Sequence, residues 1–139
     1  MKKFRLLKSK IIVNTFAFFL FSVCSSVGFT VLYELLFSNI GTKQWVYFRI
    51  IYNLVKITGS YFCAQITHWV RKKIANKTIA DGTSLSIYQI PLYNIIGLII
   101  GIDIYQLLII SIICIIDNMS MGWGYGIILD WLENKKNST

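Results

Sequence analysis

The chain has 139 residues, of which 55% are hydrophobic and 14% charged. That leaves too little polar surface to wrap a water-soluble domain, so lipid is expected to solvate much of it. The formal charge of +8 raises nucleic acid as a partner, but the basic residues stand beside apolar runs, where membrane orientation accounts for them, and no nucleic acid is expected.

From Ile11 to Tyr33 no residue is charged, and a run of about 20 apolar residues suffices to cross the hydrocarbon core. A first span is therefore expected over about 11–37. The leader with Lys2, Lys3, Arg5, Lys8 and Lys10 also suits a signal peptide. The apolar run is too long for one, however, and Val23 with Cys24 makes a poor cleavage site. A polar stretch with Gly41 precedes a second span over about 45–69, whose terminal Trp45 and Trp69 suit the two membrane interfaces. The hydrophilic segment RKKIANKTIADGTS, Arg71 to Ser84, reads as a loop. A third span follows over about 85–102. Gly101 with Asp103 makes a tight turn into a fourth, over about 104–129, and the tail is polar.

The expected fold class is thus an all-α integral membrane protein, with four transmembrane helices forming a single domain over residues 1–139. Lys and Arg residues decide its orientation. They gather before span one, between spans two and three, and in the tail, whereas the other face has Lys43 alone. The positive-inside rule then places both termini in the cytoplasm, in a multi-pass arrangement in a bacterial inner membrane.

Ionisable side chains at membrane depth are costly and ordinarily face a partner, a cavity or a transport path. Glu34 and Arg49 fall at similar depth, near the outer ends of spans one and two, and are expected to pair. Lys56 and Asp117 fall near the middle of spans two and four, where a structural ion pair and a substrate or proton site remain equally open readings. Arg49, Asn53, Lys56 and Ser60 share one helix face, which should point inward. Gln89, Tyr93 and Asn94 surround Pro91 in span three, and Asn118 and Ser120 flank Asp117, outlining a polar layer near the midplane. Each of the Asn and Ser residues also fits simple helix-to-helix bonding. His68 reads as an interfacial residue, and Cys24, Cys63 and Cys114 as packing residues. No set of residues suited to catalysis, phosphate binding or metal ligation appears, so no enzyme, metal or cofactor is expected. Gly97 with Gly101, and Gly122 with Gly126, carry the GxxxG spacing that lets helix backbones approach, which raises a homo-oligomer.

Several segments occur together and in order: NTFA at Asn14 to Ala17, the Arg49 region, QIPLY at Gln89 to Tyr93, GID followed by YQ at Gly101 to Gln106, and GWGYGIILDWL at Gly122 to Leu132. In this order the chain resembles the bacterial L-alanine exporter family over about residues 12–132. The resemblance implies an inner-membrane, proton-driven, oligomeric exporter of L-alanine. It carries over Gln89, Pro91, Tyr93, Gly122, Tyr125, Gly126 and Asp130. Asn14 stands where an acidic residue is expected, span two lacks the expected prolines, and Lys56 and Asp117 are additions. With the polar layer, the resemblance leads to an exporter in which Lys56 or Arg49 faces a zwitterion's carboxylate and Asp117 or Asn94 its ammonium. The alternatives are an anchoring membrane subunit without transport activity, a small multidrug exporter, and a pore-forming holin.

Overall fold

The computed structural model describes residues 12–13, 15–21 and 42–137, and among them no strand occurs. Four helices follow one another: α1 (Thr42–Thr58), α2 (Ser60–Lys73), α3 (Lys77–Ile100) and α4 (Ile104–Asn137). A helical stretch over 15–21 packs on them through Ala17, Phe18 and Phe21. Asn14, Cys24 and Glu34 lie outside the described residues, and with Glu34 the expected pairing to Arg49.

Lys77–Ile100 and Ile104–Lys135 are each long and apolar enough to cross a membrane. The second expected span differs from expectation, because Gly59 divides it into helices of 17 and 14 residues, each shorter than the ~20 that a crossing takes. The cause is a close approach of α3. A Cβ on Gly59 would meet the Tyr88 hydroxyl, which donates to the Lys56 carbonyl at 2.8 Å. A side chain of α3 thereby satisfies a backbone oxygen at the break.

The segment Arg71 to Ser84 also departs from its reading as a loop. Only Ile74 to Asn76 is non-helical. Asn76 caps α3, its side-chain oxygen accepting from the Ile79 amide at 3.2 Å, so the helix begins eight residues before the apolar run does. Polar Asp81 and Ser84 are tolerated in this first part because both are buried against partners on α2.

The turn between α3 and α4 follows expectation. Gly101 adopts φ 84°, the Ile102 amide donates to the Gly97 carbonyl and the Gly101 amide to that of Leu98, which is the paired closure of a left-handed helix end. Asp103 then starts α4 by accepting from the Tyr105 amide at 3.0 Å. At the same end the Gln44 side chain donates to the Ile100 carbonyl at 3.1 Å, tying the start of α1 to the end of α3.

Helices α3 and α4 meet along small residues. A Cβ on Gly122 would lie 2.5 Å from the Gly82 Cα, and one on Gly82 would lie 2.8 Å from the Asn118 carbonyl. Gly97 accommodates Leu107, and Gly126 the Asp81 carboxylate. Two buried clusters fill the interior. Cys63, Leu85, Tyr125 and Leu129 pack with Ala17, Phe18 and Phe21; Phe48, Tyr52, Tyr93, Ile96 and Leu107 pack at the Gly101 end. Outward, Ile95, Leu98, Ile99, Leu108, Ile112, Ile116 and Ile127 are exposed, forming an apolar exterior far larger than isolated surface hydrophobics produce.

The seam predicts a sharp contrast between two glycines of α4. Gly122→Val should destabilise the fold by about 2–3 kcal/mol through backbone overpacking. Gly124, whose Cβ would meet only Phe21 at 3.9 Å, should tolerate Ala, which gains up to about 1 kcal/mol of helix propensity. Unfolding in mixed micelles followed by circular dichroism measures both.

Candidate functional site

Three charged hydrogen bonds between helices converge on Arg71, in the last turn of α2. Its Nε donates to Asp81 Oδ1 at 2.6 Å and one terminal nitrogen to Asp81 Oδ2 at 2.9 Å. Its other terminal nitrogen donates to Asp130 Oδ1 at 2.8 Å. The planar guanidinium suits this work, because its fork matches a carboxylate and still leaves a donor for a second one. Lys77 pairs with the remaining oxygen of Asp130. Burial draws the Arg71 pKa down, but the two carboxylates more than offset this and hold it above its ordinary value, so the residue stays cationic throughout the accessible pH range.

Asp81 is 2% exposed. Its carboxylate and the Arg71 guanidinium occupy the space that Gly126 leaves open, since a Cβ there would enter the first and lie 2.7 Å from the second. Next along α3, the Ser84 hydroxyl donates to the Asp81 carbonyl at 2.8 Å and shares a hydrogen bond of 3.0 Å with Thr67. Tyr125, beside Gly126, has a fully buried hydroxyl set against the side chains of Cys63 and Thr67. Farther out, His68 Nε2 meets Glu133 Oε1 at 3.2 Å.

The residues singled out from the sequence fall into separate groups. Arg49, Lys56 and Ser60 are buried and Asn53 half-buried, so their shared face does point inward. The Lys56 ammonium lies 5.1 Å from the Tyr52 ring centre and 5.8 Å from that of Phe18, a cation set among aromatic faces. Arg49 lies 5.7 Å from the Trp45 ring, and Asn53 donates to the Arg49 carbonyl within its own helix. Asp117 is half-buried on α4, and the structure does not bring it to Lys56 as an ion pair.

Gln89 accepts from the Tyr52 hydroxyl at 3.4 Å, and Tyr93 stacks edge-on with Phe48 and Tyr52. Asn94 donates to Ser111 at 2.8 Å, and Asn118 to Ser86 at 3.3 Å, both across the α3 and α4 contact. The polar residues of α3 therefore divide between two neighbours, Gln89 meeting α1 and Asn94 meeting α4. Gly97, Gly122 and Gly126 serve contacts within the chain, and Gly101 serves the turn.

Sequence reasoning missed Arg71 and Asp81 because both sat in the segment read as a loop, where charges are expected to be solvated. The usable signal was Asn76, a helix-starting residue placed so that Ala80, Asp81 and Ser84 fall on the face that α3 continues with Leu85. Among the described residues no group of three metal-ligating side chains occurs.

Among the described residues, the fold and site define an all-helical protein with two helices of membrane-crossing length and a buried charge cluster at one end of their contact. No known family model, characterised protein or solved structure matches the chain.

Arg71→Gln leaves Asp81 buried with a weaker partner, and should cost about 3–5 kcal/mol. Combining Arg71→Met with Asp81→Leu should recover a large part of that loss. Stability measured around this double-mutant cycle reports the coupling of the pair directly.

Proposed function

We propose that the chain is a proton-coupled exporter of L-alanine or a closely related small amino acid, and that Arg71, Asp81 and Tyr125 form its substrate site. The observation that carries this reading is the burial of Asp81 against Arg71 at the seam of two membrane-length helices. A zwitterion carries the same two charges as the pair, in opposite roles. Its carboxylate exchanges for Asp81 on the guanidinium, and its ammonium exchanges for Arg71 on the carboxylate. The Tyr125 hydroxyl supplies a third polar contact.

The narrowness of the site favours a small side chain, since Gly82, Gly122 and Gly126 leave little room between backbones. Proton coupling enters this reading through the resemblance described above. In this reading four spans cross a bacterial inner membrane with both termini cytoplasmic, which puts the Arg71 cluster at the cytoplasmic end, where an exporter loads. The break at Gly59 lies within span two. The exposed apolar faces meet lipid or, in a homo-oligomer, a second copy. The resemblance described above favours alanine as the substrate.

An anchoring subunit without transport is the second reading. It is favoured by the pairing of Asp81 and Asp130 with Arg71 and Lys77, and of Glu133 with His68, in the folded chain. The two readings separate in cells loaded with an alanine-containing dipeptide. Expression of the chain should lower intracellular alanine, and dissipating the proton gradient should abolish the effect. Asp81→Asn, at equal membrane abundance, should slow export by about tenfold or more, corresponding to ~1.4 kcal/mol of lost interaction. Alanine levels unaffected by the wild-type chain would remove the transport reading; export that survives Asp81→Asn would remove only the site.

A further inference from the structure

At the end of the molecule that holds the Arg71 cluster, the last turn of α2, the first turn of α3 and the last turns of α4 converge. Arg71, Lys72, Lys73, Lys77 and Lys135 outnumber the carboxylates Asp81, Asp130 and Glu133 there. Those carboxylates are already engaged, Asp81 and Asp130 by Arg71 and Lys77, and Glu133 by His68. Among the described residues no acid reaches the exposed side chains of Lys72 or Lys73. Positive potential is therefore left on the outside of this end, on side chains that hold no internal structure together.

Two large aromatic side chains mark the same level. Trp69 is 59% exposed on α2 and Trp131 55% exposed on α4, and indoles so placed favour the boundary between headgroups and acyl chains. The Lys135 ammonium lies 5.1 Å over the Trp131 ring, which brings a cation and an interfacial anchor into one unit. Ile79, exposed in the first turn of α3, adds apolar surface at the same end. Lysines above a tryptophan belt match a phosphate above an acyl chain. An acidic protein or a nucleic acid offers the charge but has no use for the belt.

We propose that this end of the bundle is a binding surface for anionic phospholipid, with Lys72, Lys73 and Lys135 contacting the headgroup phosphate and Trp69 and Trp131 setting the depth. The inference rests on the membrane reading above and not on what is transported.

Native mass spectrometry of the full-length chain in detergent, with equal amounts of phosphatidylglycerol and phosphatidylcholine, tests it. The wild type should retain phosphatidylglycerol preferentially. The triple variant Lys72→Gln, Lys73→Gln, Lys135→Gln should lose about tenfold of that preference, whereas the triple Arg variant keeps it. Lys43→Gln, at the start of α1 and so at the opposite end of α3, should also keep it. Equal retention of the two lipids by the wild type overturns the proposal, as does a preference that survives the triple Gln variant. Displacement of phosphatidylglycerol by a short oligonucleotide as readily as by free phosphatidylglycerol also overturns it. Should the triple Gln variant fail to fold, the wild-type and Lys43→Gln comparisons still decide, because a preference lost in Lys43→Gln contradicts the assigned surface.

Discussion

Holding Asp81 out of water at the contact of α3 with α4 costs several kcal/mol unless a cation meets it in good geometry. Much of the local structure satisfies that condition. Arg71 must end α2 within reach, so the link to α3 is short, from Ile74 to Asn76, and Asn76 caps the next helix at once. The carboxylate and guanidinium need volume between two backbones, and Gly126 provides it. With that volume at Gly126, Gly122, about one turn earlier on α4, comes against Gly82. Asp130 then takes the donor that Asp81 leaves over, and Lys77 balances Asp130. The spacing of small residues, which alone suggests only helix packing, thus acquires a definite reason from one ion pair.

The two ends of the bundle are held by different forces. At the Gly101 end, Phe48, Tyr52 and Tyr93 pack edge to face and in a stack, and the Gly101 turn joins α3 to α4 with its backbone bonds closed. Such contacts are indifferent to charge and to pH. At the other end the helices are joined through carboxylates and a guanidinium, whose attraction changes when a competing ion or a proton arrives. The Arg71 end thus adds ion pairs to the apolar packing of Cys63, Leu85, Tyr125 and Leu129, whereas the Gly101 end relies on aromatic packing and closed backbone bonds.

What the sequence reveals and what it hides follow the same division. Apolar runs identify the helices of residues 85–100 and 104–129 because lipid or core burial imposes them over many residues. The Gly101 and Asp103 turn is legible because only glycine adopts its positive φ cheaply. The inward face of Arg49, Lys56 and Ser60 follows from helical spacing. The start of α3 is hidden, since Asp81 and Ser84 look like solvated residues until Arg71 and Thr67 are known to face them. Pairing is a property of three dimensions. For the same reason depth along a helix suggested Lys56 with Asp117, but depth does not say which helices are neighbours, and α1 packs on α3 rather than on α4. The break at Gly59 was equally hidden, as it depends on Tyr88 approaching from another helix.

The lysine surface and the buried pair are physically linked by their position. Lys72 and Lys73 follow Arg71 directly, and Lys77 shares Asp130 with it, each cation on its own carboxylate oxygen. Cations crowded at one end of a bundle repel one another and favour any arrangement that spreads them or draws in anions. An anionic headgroup at Lys72 and Lys73 relieves that repulsion from outside, leaving the carboxylates of Asp81 and Asp130 to Arg71. The proposed lipid surface and the buried pair thus meet at one end of the bundle, on residues adjacent in the chain.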